Sequence, residues 1–261
     1  MTLDELFKGK AYQRGNALYP TTEEIVLPFV RQVEEYASDF RIQVQKPSDI
    51  AVDVVRKGDS TEVAEFNIYS RVSVEAILKE EYQFDAVNDR YAKTIGLVYA
   101  LDKQQPEVIT YSGYLKQLCL NMTIFNSTAI LRKNFNDPDF DSIYLQTPLF
   151  INRIEGEKQE YIDGIEFMNS YQYTRETLNV ALGKLAVQCL VKQPGMATAY
   201  SNMVKMLHSN LSVNGVDNHY YNPDGVYTPN ELYNAMTATI SKKSDMTKAP
   251  HQVLAAYKMF Q

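Results

Sequence analysis

The spacing of apolar residues changes from helical to alternating near Phe40. Beyond that point apolar and polar residues alternate in several segments, which are Arg41 to Gln45, Ile50 to Arg56, Glu62 to Val74, Tyr91 to Leu101 and Glu107 to Phe125. Alternation places every second side chain on the same face of a β-strand. The pattern therefore predicts an antiparallel sheet, and its first three strands are expected to have one solvated face.

Two polar connections predict hairpin loops in this region, Lys57 to Ser60 and Asp102 to Pro106. Gly113 offers a place for a bulge or bend in the long final segment. The residues from Leu115 to Phe125 either continue that strand or turn helical, and the pattern does not decide between the two. Ala76 to Glu81 favours a short helix.

The first 36 residues are predicted to be mainly helical, with a loose lead-in over residues 1–20. Thr21 and Glu24 have the spacing of a capping box, in which each side chain satisfies a free backbone N–H of the other residue. Pro28 conflicts with an uninterrupted helix because it lacks an N–H donor. The helix therefore starts either at Thr21 or near Pro28, and it runs to about Tyr36.

Helical spacing returns after a polar loop from Asn134 to Asp141. The predicted helices are Arg175 to Val191 with Thr174 as its N-cap, Met196 to Leu207, a helix that starts at Thr228, and Pro250 to Phe260. The chain is thus expected to be an α+β protein with an antiparallel β-sheet in its N-terminal half and a C-terminal helical layer. Residues 1–135 would form the sheet-rich part and residues 136–261 the helical part of one integrated domain.

Charge divides the chain unequally. The 261 residues contain 32 acidic and 26 basic side chains, a net charge of −6, yet residues 167–261 contain more basic than acidic residues. Because Lys and Arg neutralise phosphates, nucleic acid would bind the C-terminal third. Cys119 and Cys189 lie in apolar surroundings and are predicted to be buried thiols. Without a long apolar run or a signal-peptide core, the chain is expected to be a soluble, cytoplasmic protein that contacts no membrane.

The sequence assigns no catalytic residue, metal or cofactor. It contains no Gly-rich phosphate loop. Asp137, Asp139 and Asp141 have the spacing that opens a calcium loop, but Ser142 and Pro148 occupy the positions where that loop needs Gly and Glu. The histidines His208, His219 and His251 have no partner at a catalytic or zinc-binding spacing. Whether the chain is an enzyme stays open, and a non-enzymatic role is favoured.

A loop rich in tyrosine, together with nearby lysines, provides the candidate binding surface. Stacking rings and cations are the parts with which proteins bind single-stranded nucleic acid. The predicted nucleic-acid-binding residues are His219, Tyr220, Tyr221, Tyr227, Lys205, Lys242, Lys243 and Lys248. The alternative is a packed loop with lysines at its periphery.

Two fragments carry a resemblance to a known family. Leu118 to Thr123, preceded by Gly113 and Lys116, resembles the Cys-x-Asn signature of a phage- and plasmid-borne domain of unknown function, called phage/plasmid-like protein. Leu232 to Thr237 is similar to the late Leu-Tyr-Asn-Ala-Val-Thr helix of that family. Together they cover about a dozen residues. Met122 departs from the small or polar residue that is common in the signature, and the basic end of the family is reduced here to Lys242 and Lys243.

The resemblance implies a mobile-element protein in a bacterial cytoplasm or a virion, without an established reaction. The expected function is a non-enzymatic role in phage or plasmid DNA metabolism. The alternative is a protein–protein interaction module, either a virion component or an inhibitor of a host defence factor, with phage or host proteins as partners; self-association into a homo-oligomer stays open. Cys119, Asn121 and Asn234 are expected to be structural, with the Asn121 amide tying the sheet to the helix that contains Asn234.

Overall fold

The structure is a computed structural model. It describes residues 1–11, 13–14, 17–46, 56–57, 60–61, 68–84, 89–116, 121–124, 130–213, 218–240 and 246–260.

A short N-terminal segment precedes the first long helix. It contains the helix α1 (Leu3–Phe7) and a small hairpin of β1 (Gln13–Arg14) and β2 (Ala17–Leu18), so the expected helical lead-in is only partly present. The helix α2 (Thr22–Val33) begins at the capping box: the Thr21 and Glu24 side chains each accept the backbone N–H of the other residue. Pro28 lies inside α2. Of the two predicted starts, the one at Thr21 is therefore correct.

The strands of the N-terminal half are β3 (Ala37–Gln45), β4 (Arg56–Lys57), β5 (Ser60–Thr61), β6 (Arg71–Phe84), β7 (Asp89–Ala100), β8 (Glu107–Lys116), β9 (Asn121–Thr123) and β10 (Ile130–Asn134). The main sheet has the order β10-β8-β7-β6-β3, and β9 pairs with β8 beyond the end of β10. All of these pairings are antiparallel. The α+β fold with its N-terminal sheet is therefore confirmed.

Both predicted hairpin connections join antiparallel strands. Arg56 pairs with Thr61 in the small β4–β5 hairpin, and residues 101–106 connect β7 to β8. Most of the segment predicted from Ile50 to Arg56, and the first half of the one predicted from Glu62 to Val74, lie outside the described residues. The solvated face that was expected for the early strands does not extend to β7 and β8, where residues 91–100 and 107–115 are buried throughout.

Two local expectations for the sheet are wrong, and one open question is answered. Residues 76–81, predicted as a helix, form part of β6, because sheet neighbours on both sides outweigh a local helix preference. Gly113 pairs with Thr94 without any change of register, so the strand neither bulges nor bends there. The Leu115 to Phe125 segment is not helical where it is described: β8 continues to Lys116 and β9 covers residues 121–123.

The C-terminal half consists of the helices α3 (Ser142–Leu145), α4 (Thr147–Asn169), α5 (Arg175–Ala186), α6 (Ala197–His208), α7 (Pro229–Ile240) and α8 (Ala249–Phe260). A π-helical turn, Val187–Lys192, extends α5, and a 3₁₀ turn, Pro194–Met196, connects it to α6. The predicted N-caps are present, since Thr174 caps α5 and Thr228 forms a capping box with Glu231. The long helix α4 has no counterpart among the sequence predictions. Its apolar residues follow no clean helical stripe.

Buried tyrosines join the sheet to the helical layer. The ring of Tyr161 in α4 stacks on Tyr114 in β8 at a centroid distance of 4.9 Å and meets Tyr91 in β7 edge-on at 5.8 Å. Tyr257 in α8 lies 6.5 Å from Tyr161 and contacts Tyr233 in α7 edge-on. These tyrosines belong to one hydrophobic core that includes residues of both halves. Among the described residues, no helix is both long enough and apolar enough to span a membrane.

A row of cross-strand neighbours around the buried Glu75 carboxyl group crosses four adjacent strands. The strand register aligns Arg41, Glu75, Gly96 and Tyr111 as direct cross-strand neighbours. The ring of Tyr111 covers Gly96, and its hydroxyl donates to Glu75 Oε1 at 3.5 Å while Arg41 binds Oε2 at 3.0 Å. Burial raises the pKa of Glu75, and Arg41 opposes that rise. Tyr111 and Arg41 thus provide hydrogen-bond partners for a carboxyl group inside the sheet, which is a structural role.

Candidate functional site

A pocket of about 320 Å³ lies between the edge of the sheet and the start of α8. The sheet supplies Glu107 and Ile109 from β8 and Arg132 from β10, and the β7–β8 connection supplies Lys103. The opposite wall comes from the turn before α6 and from the first turns of α8, with Gln193, Gly195, Met196, Thr247, Lys248, His251, Gln252 and Ala255. A volume of this size accommodates a small ligand or one unit of a polymer.

Glu107 is the centre of the charged wall. Its carboxylate is almost fully buried and forms ion pairs with Lys103 and Arg132. The Lys103 ammonium also donates to the hydroxyl of Thr247, which links the β7–β8 connection to the segment that leads into α8. A buried carboxylate needs such partners, because an uncompensated charge inside a protein is costly. The ion pairs therefore fix the positions of two cations at the pocket wall.

Positive charge exceeds negative charge around the pocket. Lys103, Arg132 and Lys248 are opposed only by Glu107 among the described residues that line it. Arg132 retains 57% of its side-chain exposure, and Lys248 is exposed. The first turn of α8 faces the same space, and the positive end of a helix dipole adds to the field of these cations. The combined electrostatic potential suits an anion such as phosphate or carboxylate.

His251 adds a titratable group to the pocket. Partial burial lowers the pKa of His251 below its usual value, Arg132 and Lys103 lower it further by repulsion, and Glu107 acts in the opposite direction. The imidazole is consequently neutral at pH 7 in the unliganded pocket. A bound anion would favour its protonated form.

The predicted nucleic-acid-binding residues fall into separate places. Lys248 lines the pocket. Lys205 is exposed in the last turn of α6, and the loop that contains His219 is attached to that end, where the Asn218 amide donates to the Met206 carbonyl oxygen at 2.9 Å. The pocket borders the other end of α6, and a 12-residue helix is about 18 Å long. The structure thus separates the loop from the pocket.

The loop tyrosines differ in exposure. Tyr221 is 42% exposed and His219 is exposed, so both face solvent. Tyr227 is buried, and its hydroxyl donates to the Leu207 carbonyl oxygen at 3.1 Å. Tyr220 is partly buried against the core. Only the first two therefore offer rings for stacking, and the position of Tyr227 fits the packed-loop alternative. Lys242 and Lys243 lie outside the described residues.

The signature residues are described only in part. Cys119 lies outside the described residues. The backbone of Asn121 belongs to β9, which packs against α7 and α8. The expected link between the Asn121 amide and the helix that contains Asn234 stays a prediction. The Asn234 amide donates to the backbone and side-chain oxygens of Asn230, one turn earlier in α7.

Cys189 is buried, as predicted, and its thiol contacts Met259 Sδ at 3.6 Å. Burial raises the pKa of Cys189 to about 11. A thiol with so high a pKa is almost entirely protonated at pH 7 and is a poor nucleophile.

Two of the three aspartates with calcium-loop spacing, Asp137 and Asp139, form local contacts instead. The backbone N–H of Asn134 donates to Asp137 at 2.9 Å, and Lys133 pairs with Asp139 at 3.1 Å. These bonds shape the turn that leads from β10 into α3. In the part of the chain that the structure describes, no group of three or more His, Cys, Asp and Glu side chains is arranged to hold a metal ion.

Sequence reasoning missed Lys103, Glu107 and Arg132, and it gave His251 no role. The available signal was a charged residue beside a pair of apolar strand residues: Glu107 precedes Val108 and Ile109 in β8, and Arg132 follows Ile130 and Leu131 in β10. In the register, Arg132 pairs with Ile109, two residues from Glu107, which is a diagonal distance that a long side chain spans. Thr247 and His251 reach the pocket only because of where α8 packs, and no local sequence pattern predicts that packing.

Comparison with known proteins gives no relative. No family model, no curated protein and no solved structure matches the chain.

Proposed function

We propose that this chain is a phage- or plasmid-encoded, non-enzymatic protein of DNA metabolism that binds a nucleic-acid phosphate in the pocket at the start of α8. The observation that carries the proposal is the excess of positive charge from Lys103, Arg132 and Lys248 around one concave site. Phosphate contacts of Lys and Arg supply most of the affinity of sequence-independent nucleic-acid binding.

Exposure at the rim favours a polymer over a free small anion. Arg132 and Lys248 combine exposure to solvent with a position on the pocket wall, so a phosphate bound there can remain connected to neighbouring nucleotides outside. The basic excess of residues 167–261 supports the same assignment, because further phosphates would meet a positive field. The resemblance to phage/plasmid-like proteins supplies the biological setting.

Salt-dependent binding tests the function. We expect the protein to bind labelled single- or double-stranded oligonucleotides in fluorescence anisotropy, with log K falling linearly against log salt because bound phosphates release counterions. Inorganic phosphate is the second probe, and it should compete only weakly. If neither oligonucleotide binds in a salt-sensitive way, the proposal is wrong. Binding of inorganic phosphate alone would contradict the nucleic-acid assignment.

Binding should also strengthen as the pH falls below 7. The pKa of His251 is lowered in the free protein, whereas a bound phosphodiester favours the charged imidazole, so binding takes up a proton. Affinity is expected to rise from pH 7.5 to pH 5.5, since the phosphodiester itself does not titrate there. Anisotropy titrations over this range measure the effect.

Exposed His219 provides the matched control. His251→Gln should abolish most of the pH dependence, while His219→Gln should preserve it, since His219 is attached to the far end of α6. The opposite result would place the titrating group in the loop.

A further inference from the structure

The cations of the pocket at the start of α8 are clustered around one buried carboxylate. Lys103 pairs with Glu107 Oε1 and Arg132 pairs with Oε2, so their charged groups lie at the two oxygens of a single side chain. Lys248 directly follows Thr247, whose hydroxyl accepts from the Lys103 ammonium. All three cations line the same pocket. This clustering favours joint contact with one phosphate group over separate contacts with successive phosphates of a strand.

The charge of the cluster exceeds that of a phosphate inside a strand. Three cations against the single carboxylate of Glu107 leave a surplus of two positive charges among the described residues that line the pocket. His251, which is neutral at pH 7, adds no charge. A phosphodiester has one negative charge, whereas a terminal phosphate monoester has about 1.5 to 2 at pH 7. The terminal group therefore matches the surplus, and an internal phosphate compensates only half of it.

The number of acceptor oxygens favours the same group. A phosphate monoester presents three oxygens that accept charge-assisted hydrogen bonds, and a phosphodiester presents two. Lys103, Arg132 and Lys248 are three separate cationic donors. Bonds between an ionised donor and an ionised acceptor are about twice as strong as neutral ones. A terminal phosphate thus offers each cation an oxygen of its own.

The size of the pocket also suits the end of a strand. Its volume of about 320 Å³ is near the lower limit of ligand pockets, and it lies between two walls, the sheet edge and the start of α8. A terminal nucleotide enters such a space with chain on one side only. An internal nucleotide needs room for the chain on both sides.

We infer that the pocket prefers the terminal phosphate monoester of a nucleic-acid strand to a phosphodiester within the strand. The inference rests on the proposed function, because it names the part of the nucleic acid that enters the same pocket. Lys103, Arg132 and Lys248 contact the terminal phosphate, and the rest of the strand leaves along the exposed side chains of Arg132 and Lys248. The protein is thereby a binder of phosphorylated strand ends.

Fluorescence anisotropy with internally labelled single strands of one sequence tests the preference. The strands have a 5′-phosphate, a 3′-phosphate or only hydroxyl ends, and a further hydroxyl-ended strand is longer by two nucleotides, which gives it nearly the same total charge as the phosphorylated strands. At pH 7.5 we expect at least one phosphorylated strand to bind about tenfold tighter than both hydroxyl-ended strands, which is the effect of one additional hydrogen bond to a charged group. The strand that gains affinity identifies the end that enters the pocket.

Lowering the pH should reduce this preference. The second pKa of a phosphate monoester is about 6, so the terminal group loses one charge between pH 7.5 and pH 5.5, while phosphodiesters keep theirs. The measurement uses the His251→Gln protein, in which the imidazole of the pocket no longer titrates. A preference that grows towards pH 5.5 would overturn the inference.

A matched pair of variants locates the preference. Lys248→Gln removes a cation of the pocket and should lower the ratio of affinities for phosphorylated and hydroxyl-ended strands several-fold. Lys258→Gln removes the same charge at an exposed position in the last turn of α8 and should keep the ratio. Salt-sensitive binding without any preference for a phosphorylated end, or a preference that Lys248→Gln leaves intact, would overturn the inference alone. No salt-sensitive binding of any strand would overturn the proposed function as well.

Discussion

Gly96→Ala is expected to destabilise the protein by about 3 kcal/mol, because the added methyl group enters space that the Tyr111 ring already fills. An ideal Cβ at this position would lie 2.0 Å from Cζ and 2.3 Å from the hydroxyl oxygen of Tyr111. The ring is buried and its hydroxyl is bonded to Glu75, so it has little freedom to move aside. Urea unfolding followed by circular dichroism measures the change in the free energy of unfolding.

Gly183→Ala is the matched control for this substitution. Gly183 is helical, and a Cβ there meets nothing within 4 Å, so Ala should leave stability unchanged or raise it by up to about 1 kcal/mol through helix propensity. Combining Gly96→Ala with Tyr111→Leu should recover part of the lost stability, since Leu lacks the far edge of the ring. If Gly96→Ala unfolds at the midpoint of the original protein, the described position of the Tyr111 ring is wrong.

Glu107→Gln is expected to change stability and binding in opposite directions. The buried carboxylate compensates the charges of Lys103 and Arg132. Its neutralisation should therefore lower the free energy of unfolding by about 2 kcal/mol. The loss is limited because Arg132 is partly exposed. The same change removes the negative charge at the pocket wall. Oligonucleotide affinity should therefore rise several-fold at low salt, and anisotropy titration together with thermal unfolding measures both effects.

An exposed glutamate separates this local effect from net charge. Glu160→Gln changes the net charge by the same amount and lies on the exposed side of α4. It should leave the melting temperature unchanged and alter affinity only slightly. Weaker oligonucleotide binding by a folded Glu107→Gln protein would contradict the role assigned to the pocket.

The sequence predicts elements whose signals are local. The capping boxes at Thr21 and Thr228 and the break at Pro194 have the positions expected from neighbouring residues. The path of β6 through residues 76–81 was missed because these residues depend on pairing with β3 and β7, which are formed by other parts of the chain. Helix α4 was missed because burial of Tyr161 against Tyr91 and Tyr114, rather than a regular apolar stripe, holds it in place.

The candidate site illustrates the same limit. Lys248 was identified from composition, since it is a lysine in the basic third of the chain. Glu107 and Arg132 become neighbours only through strand register, and His251 joins them only through the packing of α8. Composition also grouped Lys205 and His219 with Lys248. In the structure, Lys205 and the His219 loop lie at the C-terminal end of α6, whereas the pocket that contains Lys248 borders its other end.

Charge-matched double variants test whether the pocket binds a phosphate of a nucleic acid. The measurement is the slope of log K against log salt for a single-stranded oligonucleotide, made with Arg132→Gln/Lys248→Gln and with Lys205→Gln/Lys258→Gln. Both pairs remove two positive charges, but only the first pair belongs to the pocket. We expect the slope of the pocket variant to shrink by roughly 1.4, while that of the control stays close to the original. An unchanged slope for the pocket variant, or the larger loss for the control, would contradict it.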